Sequence, residues 1–404
     1  MTFPFRARRR VTEGSGGAVA LAAAAPGAWS TAPDAPFAGF WGQPTGGAIT
    51  LINGSVLVAG GEDGRRNALA DAALFEPAGT GAWTTLPSMW TGRRLHAAVR
   101  MKDGNVLFCG GIAGSLSLPT TPIASAEIYD AGTRSWLQIP AMAEPRFSHS
   151  ASLLPDGQVL VAGGATLRSA QSHKALRTTE IYNPGTGQWT KGPDMTDARF
   201  GHPAVTLTDG RIMVVGGAIT VGRGQYSSLA YCEVLTPDPV KPFWTPVPSL
   251  GTGRKSHQAV VLSDDTVVAV GGDIAGQLLG WNFYPYSQSG IERLAPGGGW
   301  ATAGDLWLGR SHHRMFTLTG DRILVLGGTD DATFDVGYRN SSVYNPASKA
   351  WDETTGMTVG RWAPAAAKLN DGRVLTVGGI TLSGAAAPVI GEDVVTASTE
   401  IFTP

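Results

Sequence analysis

Six arginines recur at one place in a repeating pattern, Arg93, Arg146, Arg199, Arg254, Arg310 and Arg361, and in five cases histidine follows three residues later: His96, His149, His202, His257 and His313. A guanidinium offers a fixed fork of donors to a carboxylate or phosphate, and an imidazole exchanges a proton near neutral pH. Brought together, these groups describe an anion-gripping pocket. They also fit a metal-free isomerase, cyclase or lyase in which His312 or His313 moves a proton and Arg310 steadies a developing anion. Gln43 fills the first arginine slot, and Gly46 and Pro364 fill the remaining histidine slots.

Neighbouring like charges about 10 Å apart repel by roughly 1.7 kcal/mol at an effective dielectric of 20, so a ring of arginines needs counter-charges. Glu127, Glu180, Glu233, Glu292 and Glu400 recur once per unit and supply them. Framework pairing is therefore the simpler reading of Arg93, Arg146, Arg199, Arg254 and Arg361. Two units break the pattern. Gln43 is matched by Ala73, so a pair is lost as a unit, whereas Arg310 faces Ser342 in the glutamate slot. Arg310 is left to an anionic ligand, to a neighbouring unit, or to Asp330 and Asp331. The regular histidines read as structural, because a site used once need not be written five times; His312 lies off the pattern.

Aromatic residues cluster around the same slot. Trp41, Trp90 and Trp307 come just before it, Phe147, Phe200 and Trp362 just after it, and Tyr226, Tyr284, Tyr286 and Tyr338 fall in longer connections. With Gln43 and the arginines, Trp41, Trp90, Phe147, Phe200, Tyr226, Trp307, Tyr338 and Trp362 make up the candidate binding residues. Such a mouth stacks planar groups or sugar faces and grips carboxylates, so the expected partner is a small molecule, a glycan or a peptide.

The elements that position these residues repeat as well. DGRVLTVGG at 371–379 has six near copies, NGSVLVAGG, DGNVLFCGG, DGQVLVAGG, DGRIMVVGG, DDTVVAVGG and GDRILVLGG, spaced 50 to 56 residues apart. Each unit runs from the arginine through an alternating stretch, a turn with Asp-Gly, an apolar run ending in Gly-Gly, a variable connection, a strand of the type EIYNP, and a short turn before tryptophan. Period-2 patterning between turn signals predicts four strands per unit, a to d. Trp83, Trp136, Trp189, Trp244, Trp300 and Trp351 open strand d. The last unit stops after strand c, TEIFTP, and GAWSTAP around Trp29 can supply its missing strand. That closure removes sheet edges and predicts an all-β, seven-bladed propeller of four-stranded antiparallel blades, with residues 1–26 as an N-terminal arm or signal-like segment and 27–404 as the ring. The a–b and c–d turns then share one trimmed face, and the d–a and b–c connections share the other, where function is expected.

Composition agrees. With 55 glycines, 26 prolines and 16% charged residues, the chain suits a turn-rich β protein. No stretch is long and apolar enough for a membrane-spanning helix, and a net charge of −1 gives no field to attract nucleic acid. Cys109 and Cys232 lie in different units at no zinc spacing, no cofactor or metal is expected, and the ring is expected to be a monomer. The basic start MTFPFRARRR and the small-residue run AVALAAAAPGA leave export and cytoplasmic retention both open.

Arg-x-x-His, Asp-Gly, Gly-Gly, Glu-x-Tyr-Asn-Pro and Trp in this order resemble the kelch repeat over residues 27–404. The resemblance implies a propeller and a binding role. Galactose oxidase-type enzymes share such a ring but use copper with tyrosine and histidine ligands and a tyrosine–cysteine crosslink; here no histidine adjoins a tyrosine, and Cys109 lies within a Gly-Gly motif. No G-x-S-x-G elbow marks a serine hydrolase.

Overall fold

A computed structural model describes residues 27–404 apart from 43–46, 115–120, 170–171, 223–224, 239–241, 275–276, 279–280, 283–285, 331–335, 346–347 and 390. Gln43, Tyr284 and Asp331 lie outside the described residues. Seven four-stranded antiparallel sheets follow one another along the chain. In blade 2 the strands are Ala97–Arg100, Val106–Cys109, Ala126–Asp130 and Ser135–Ile139, paired in sequence order a to d. Blade 7 takes its outer strand from the other end of the chain: Ala28–Ala32 pairs with Thr399–Thr403, with Trp29 opposite Phe402. The closure expected from the displaced tryptophan is present.

Strand b is buried on both sides in every blade, which explains its unbroken Val/Leu character. In blade 2, Val106 and Phe108 pack towards blade 1, whereas Leu107 and Cys109 pack towards blade 3. The core is thus a set of layers between neighbouring blades. Strands a of neighbouring blades also touch, so they line the central channel.

The glycine pairs stitch blades together. Gly216 and Gly217 have φ of 54° and 101°, a region hindered for side chains. A Cβ on Gly216 would come within 2.8 Å of the Arg254 carbonyl oxygen and 3.1 Å of His257 Cε1 in the next blade. Gly217 N–H donates to that same Arg254 carbonyl at 2.9 Å. The repeat ending written so often in the sequence is where each blade accepts the backbone of the next.

Two expectations change. Strand a starts four residues after the arginine, at Ala97 in blade 2, because Arg-x-x-His forms the turn that enters the strand. Several b–c connections, expected to be irregular, form hairpins instead: Ala165–Ser169 with Ser172–Ala175, and Ala218–Gly222 with Gln225–Ser228.

Candidate functional site

The arginines come first, because they are almost wholly buried, at 0–1% exposure. Arg93 Nη1 donates to the carbonyls of Gly110 and Ser125, each at 3.0 Å, and Nη2 donates to Glu127 Oε1 at 2.7 Å. The same ion pair joins Arg146 to Glu180 (2.9 Å), Arg199 to Glu233 (2.7 Å), Arg254 to Glu292 (2.6 Å) and Arg361 to Glu400 (2.7 Å). Each glutamate also fastens the d–a turn: Glu127 accepts the N–H groups of Trp90 and Thr91, and Glu233 those of Thr196 and Asp197. Charge and donors are matched, which is what makes burial tolerable. Arg93, Arg146, Arg199, Arg254 and Arg361 are therefore framework residues with no surface for a ligand. This corrects the expectation of an arginine-lined mouth.

Arg310 departs from the pattern as its sequence slot suggested. Nη1 reaches the Gly327 and Asn340 carbonyls at 2.9 and 3.4 Å, but Nη2 meets only Asn340 Oδ1 at 3.5 Å, and it pairs with no carboxylate among the described residues. The Tyr338 ring lies 5.3 Å from the guanidinium. Burial pulls its pKa down to about 10, opposed by Tyr338 and Glu353.

The regular histidines are also internal. Their Cε1 atoms lie against the first glycine of the preceding blade: His96 on Gly60, His149 on Gly110, His202 on Gly163, His257 on Gly216 and His313 on Gly271. Burial, reinforced by the neighbouring arginine, holds His149, His257 and His313 well below the ordinary histidine range and His202 near 3. His313 has no exposed surface, so it is not placed to exchange protons with a ligand, and Arg310 is not at the mouth. Of the three acid–base candidates, only His312 is there.

The mouth is built by a feature that sequence reasoning missed. The residue two positions after each arginine has φ between 49° and 61°: Leu95, Ser148, Gly201, Ser256, His312 and Ala363. Their backbones hydrogen-bond in series, from Ser148 N to Leu95 O, Gly201 N to Ser148 O, Ser256 N to Gly201 O, His312 N to Ser256 O, Ala363 N to His312 O and Trp41 N to Ala363 O, at 2.8–3.2 Å. This collar circles the channel where strands a begin. Left-handed backbone at a non-glycine residue costs roughly 1 kcal/mol or more, and here each strained residue is held by its neighbours.

One arc of the collar is polar. Lys255 Nζ lies 3.3 Å from Asp273 Oδ2 and 4.8 Å from the centre of the Tyr226 ring. Ser287 Oγ donates to Asp273 Oδ1 at 3.3 Å, and Ser311 Oγ lies 3.1 Å from His312 Nδ1. Burial alone would depress the lysine and raise the aspartate, but their attraction outweighs it: Lys255 sits above its ordinary value and Asp273 below. Burial lowers His312 to about 4, with Asp273 opposing and Lys255 adding to the fall, so its imidazole is neutral at pH 7. A second charged pair, Arg94 to Glu62 at 2.8 Å, lies in blades 1 and 2.

The aromatic candidates divide. Trp41, Phe147 and Trp362 are buried at 3–6% exposure, where Trp41 Nε1 donates to the Ala59 carbonyl and Trp362 packs edge-on against His312 at 5.5 Å. Phe200 and Tyr226 pack together at 6.0 Å and stay half-buried beside Lys255. Trp90 and Trp307 are 68% and 85% exposed, but they stand on the d–a turns, where Trp90 Nε1 reaches towards the carbonyl of Trp136 on the outermost strand. They do not join the mouth.

A further irregularity marks the junction of blades 5 and 6. Trp83, Trp136, Trp189, Trp244 and Trp300 donate Nε1–H to a proline carbonyl of the preceding d–a connection. Among the described residues Trp351 Nε1 meets no partner; Gly304, at φ of 99° in a strand pair with a register shift, stands where that proline would be, and a hollow of about 350 Å³ opens beside the tryptophan. Among the described residues no group of histidine, cysteine and carboxylate side chains is arranged to hold a metal ion.

A kelch motif family model matches residues 146–196. The "Kelch-like protein terF" of Aspergillus terreus is 27% identical over 261 residues, covering 61% of this chain and 51% of that protein, so the chain spans about half of that relative. Among solved structures, a fungal alcohol oxidase of the AA5 family in complex with copper aligns with a TM-score of 0.69 at 18% identity over 94% of this chain and 76% of its own. YjhT aligns with a TM-score of 0.61 at 16% identity over 81% of this chain and all of its own. Likeness at that identity speaks for the ring and not for its chemistry. With seven blades each stitched to the next by the same glycine pair, and with a kelch motif matched at residues 146–196, this protein is a seven-bladed β-propeller that carries a kelch motif and is similar to kelch-like proteins.

Proposed function

We propose that the ring is a binding module whose ligand rests on the loop-bearing face, over the channel mouth at blades 4 to 6. Kelch propellers typically serve binding, and one observation supports the placement: the Lys255, Asp273 and His312 cluster, with the buried Ser311 behind His312, on a collar whose other positions are leucine, serine, glycine and alanine. The cluster is close to electrically neutral, because Lys255 and Asp273 cancel and His312 is uncharged. Alternating donors and acceptors beside the half-buried Tyr226 ring suit a hydroxyl-bearing ligand, such as a glycan or polar small molecule, better than a free anion.

Arrays of glycans and of peptides probed with labelled wild-type protein and with a Lys255→Met, Asp273→Asn variant test this reading. Glycan spots bound by the wild type and lost by at least tenfold in the variant support it. Spots retained by the variant, or binding confined to peptides, contradict it.

A further inference from the structure

We propose that blade 6 carries a carboxylate-binding seat, made by Arg310 Nη2 and the backbone N–H groups of Trp307 and Leu308, that receives the carboxylate of an organic acid whose apolar part lies on the Trp307 and Leu308 side chains. This site is separate from the channel mouth and does not depend on what binds there.

Five other blades of the same chain show what such a seat holds. In each, the strand-c glutamate joins one guanidinium nitrogen and two d–a N–H groups, as Glu400 does with Arg361, Thr358 and Val359 at 2.7–3.2 Å. Blade 6 keeps the receptor and lacks the occupant. Arg310 Nη1 is held by the carbonyls of Gly327 and Asn340, as Arg361 Nη1 is held by those of Gly378 and Ser398, so Nη2 is directed to the same place. The N–H groups of Trp307 and Leu308 have no acceptor among the described residues.

Serine in place of glutamate at 342 removes one methylene and a carboxylate, a volume close to acetate. The neighbouring acid does not replace it: Ser342 Oγ donates to Glu353 Oε1 at 3.0 Å, and Glu353, although its charge is felt by Arg310, forms no ion pair with it among the described residues. Arg310 is 0% and Ser342 2% exposed, so the acid enters by displacing the side chains that cover them, with the exposed Glu353 carboxylate over Ser342 foremost. The rim of the seat carries Trp307, 85% exposed, and Leu308, 38% exposed. In blade 3 those two positions are Ala143 and Glu144. An apolar rim beside a buried cation describes an acid with a hydrocarbon body.

The test is thermal melting of the full chain in sodium acetate and in sodium benzoate, against sodium chloride at equal ionic strength. A saturable rise in Tm is expected with both acids, with benzoate half-saturating at about fivefold lower concentration through its contact with the Trp307 ring. Ser342→Glu restores the repeat's own occupant. It is expected to melt above the wild type and to lose the response to both acids. No rise beyond chloride, an equal rise in Ser342→Glu, or a lower melting point for that variant overturns the proposal. If Ser342→Glu does not fold, Trp307→Ala decides: loss of the benzoate preference with the acetate response intact supports the seat, and an unchanged preference overturns it. A response to N-acetyl-aspartate amide without one to acetate or benzoate also overturns it, because the seat would then be reserved for a protein side chain.

Discussion

If the arginines are framework, deleting one glutamate must be expensive in a way that can be worked out. Glu233 is 1% exposed; its Oε1 accepts from Arg199 Nη2 at 2.7 Å and from Asp197 N–H at 3.1 Å, and its Oε2 accepts from Thr196 N–H at 2.7 Å. Glu233→Ala leaves the Arg199 guanidinium buried without its counter-ion. Thr196 is exposed, so water can take over its N–H, and the lost charge pair dominates. Breaking a buried pair from one side costs about 3–5 kcal/mol. Roughly 380 folded residues at about 2.1 cal/mol/K each give an unfolding entropy near 0.8 kcal/mol/K, so the expected fall in Tm is about 4–6 °C if the ring melts as a unit. The control is Ser342→Ala, at the same strand position in the blade without a pair. It removes one hydroxyl that donates to an exposed carboxylate, worth about 1 kcal/mol or about 1 °C. Scanning calorimetry of both variants reads the difference. Equal Tm values for the two, or a Glu233→Ala within 1 °C of wild type, would refute the framework role.

Three other outcomes follow from the same contacts. His149, His257 and His313 are held well below their ordinary range, His202 near 3 and His312 near 4, so between those values and about 6.5 the unfolded chain binds protons that the folded ring does not. Stability therefore rises with pH across that window and falls by up to about 1.4 kcal/mol per pH unit per histidine on acidification; a Tm unchanged from pH 7 to pH 5 contradicts this. Gly216→Ala places a methyl group 2.8 Å from the Arg254 carbonyl at φ of 54° and should cost about 2–4 kcal/mol, against about 1 kcal/mol for Gly297→Ala, which meets nothing within 4 Å; equal losses on denaturation would discard the stitching role. Trp29 donates to Ser341 Oγ at 2.7 Å and packs on Phe402 at 5.3 Å, so Trp29→Ala should lower Tm as much as Trp136→Ala does, and a neutral effect would mean that the chain ends do not carry the closure.

Much of this was legible in the sequence, for a definite reason. A repeat states the same structural requirement seven times, so Gly-Gly, Trp and the Arg and Glu slots could be read against one another. Ser342 in a glutamate slot then pointed to Arg310 before any coordinates. What escaped detection was carried by backbone. Leu95, Ser148, Gly201, Ser256, His312 and Ala363 share no side-chain chemistry, yet they form one collar through left-handed peptides and carbonyls. The second task of the glutamates, holding the d–a turn, was hidden for the same reason, since their partners are N–H groups. Lys255 and Asp273 did leave a signal: opposite charges just after the arginine slot and just after the Gly-Gly pair of one blade, positions that pair across an antiparallel bridge. Trp90 and Trp307 misled because nearness in sequence to the arginine is not nearness to the channel. The arginine turns inward, and the turn before it faces the outer strand.

The central claim is that repeated positions build the ring and that ligands land where the repeat is broken. Hydrogen–deuterium exchange, with and without the strongest glycan from the array, tests it most directly. The account predicts added protection in residues 254–257 and 310–313 and none in the Asp-Gly turns at 155–158 and 371–374. Protection confined to those turns, or spread evenly over all blades, would contradict it.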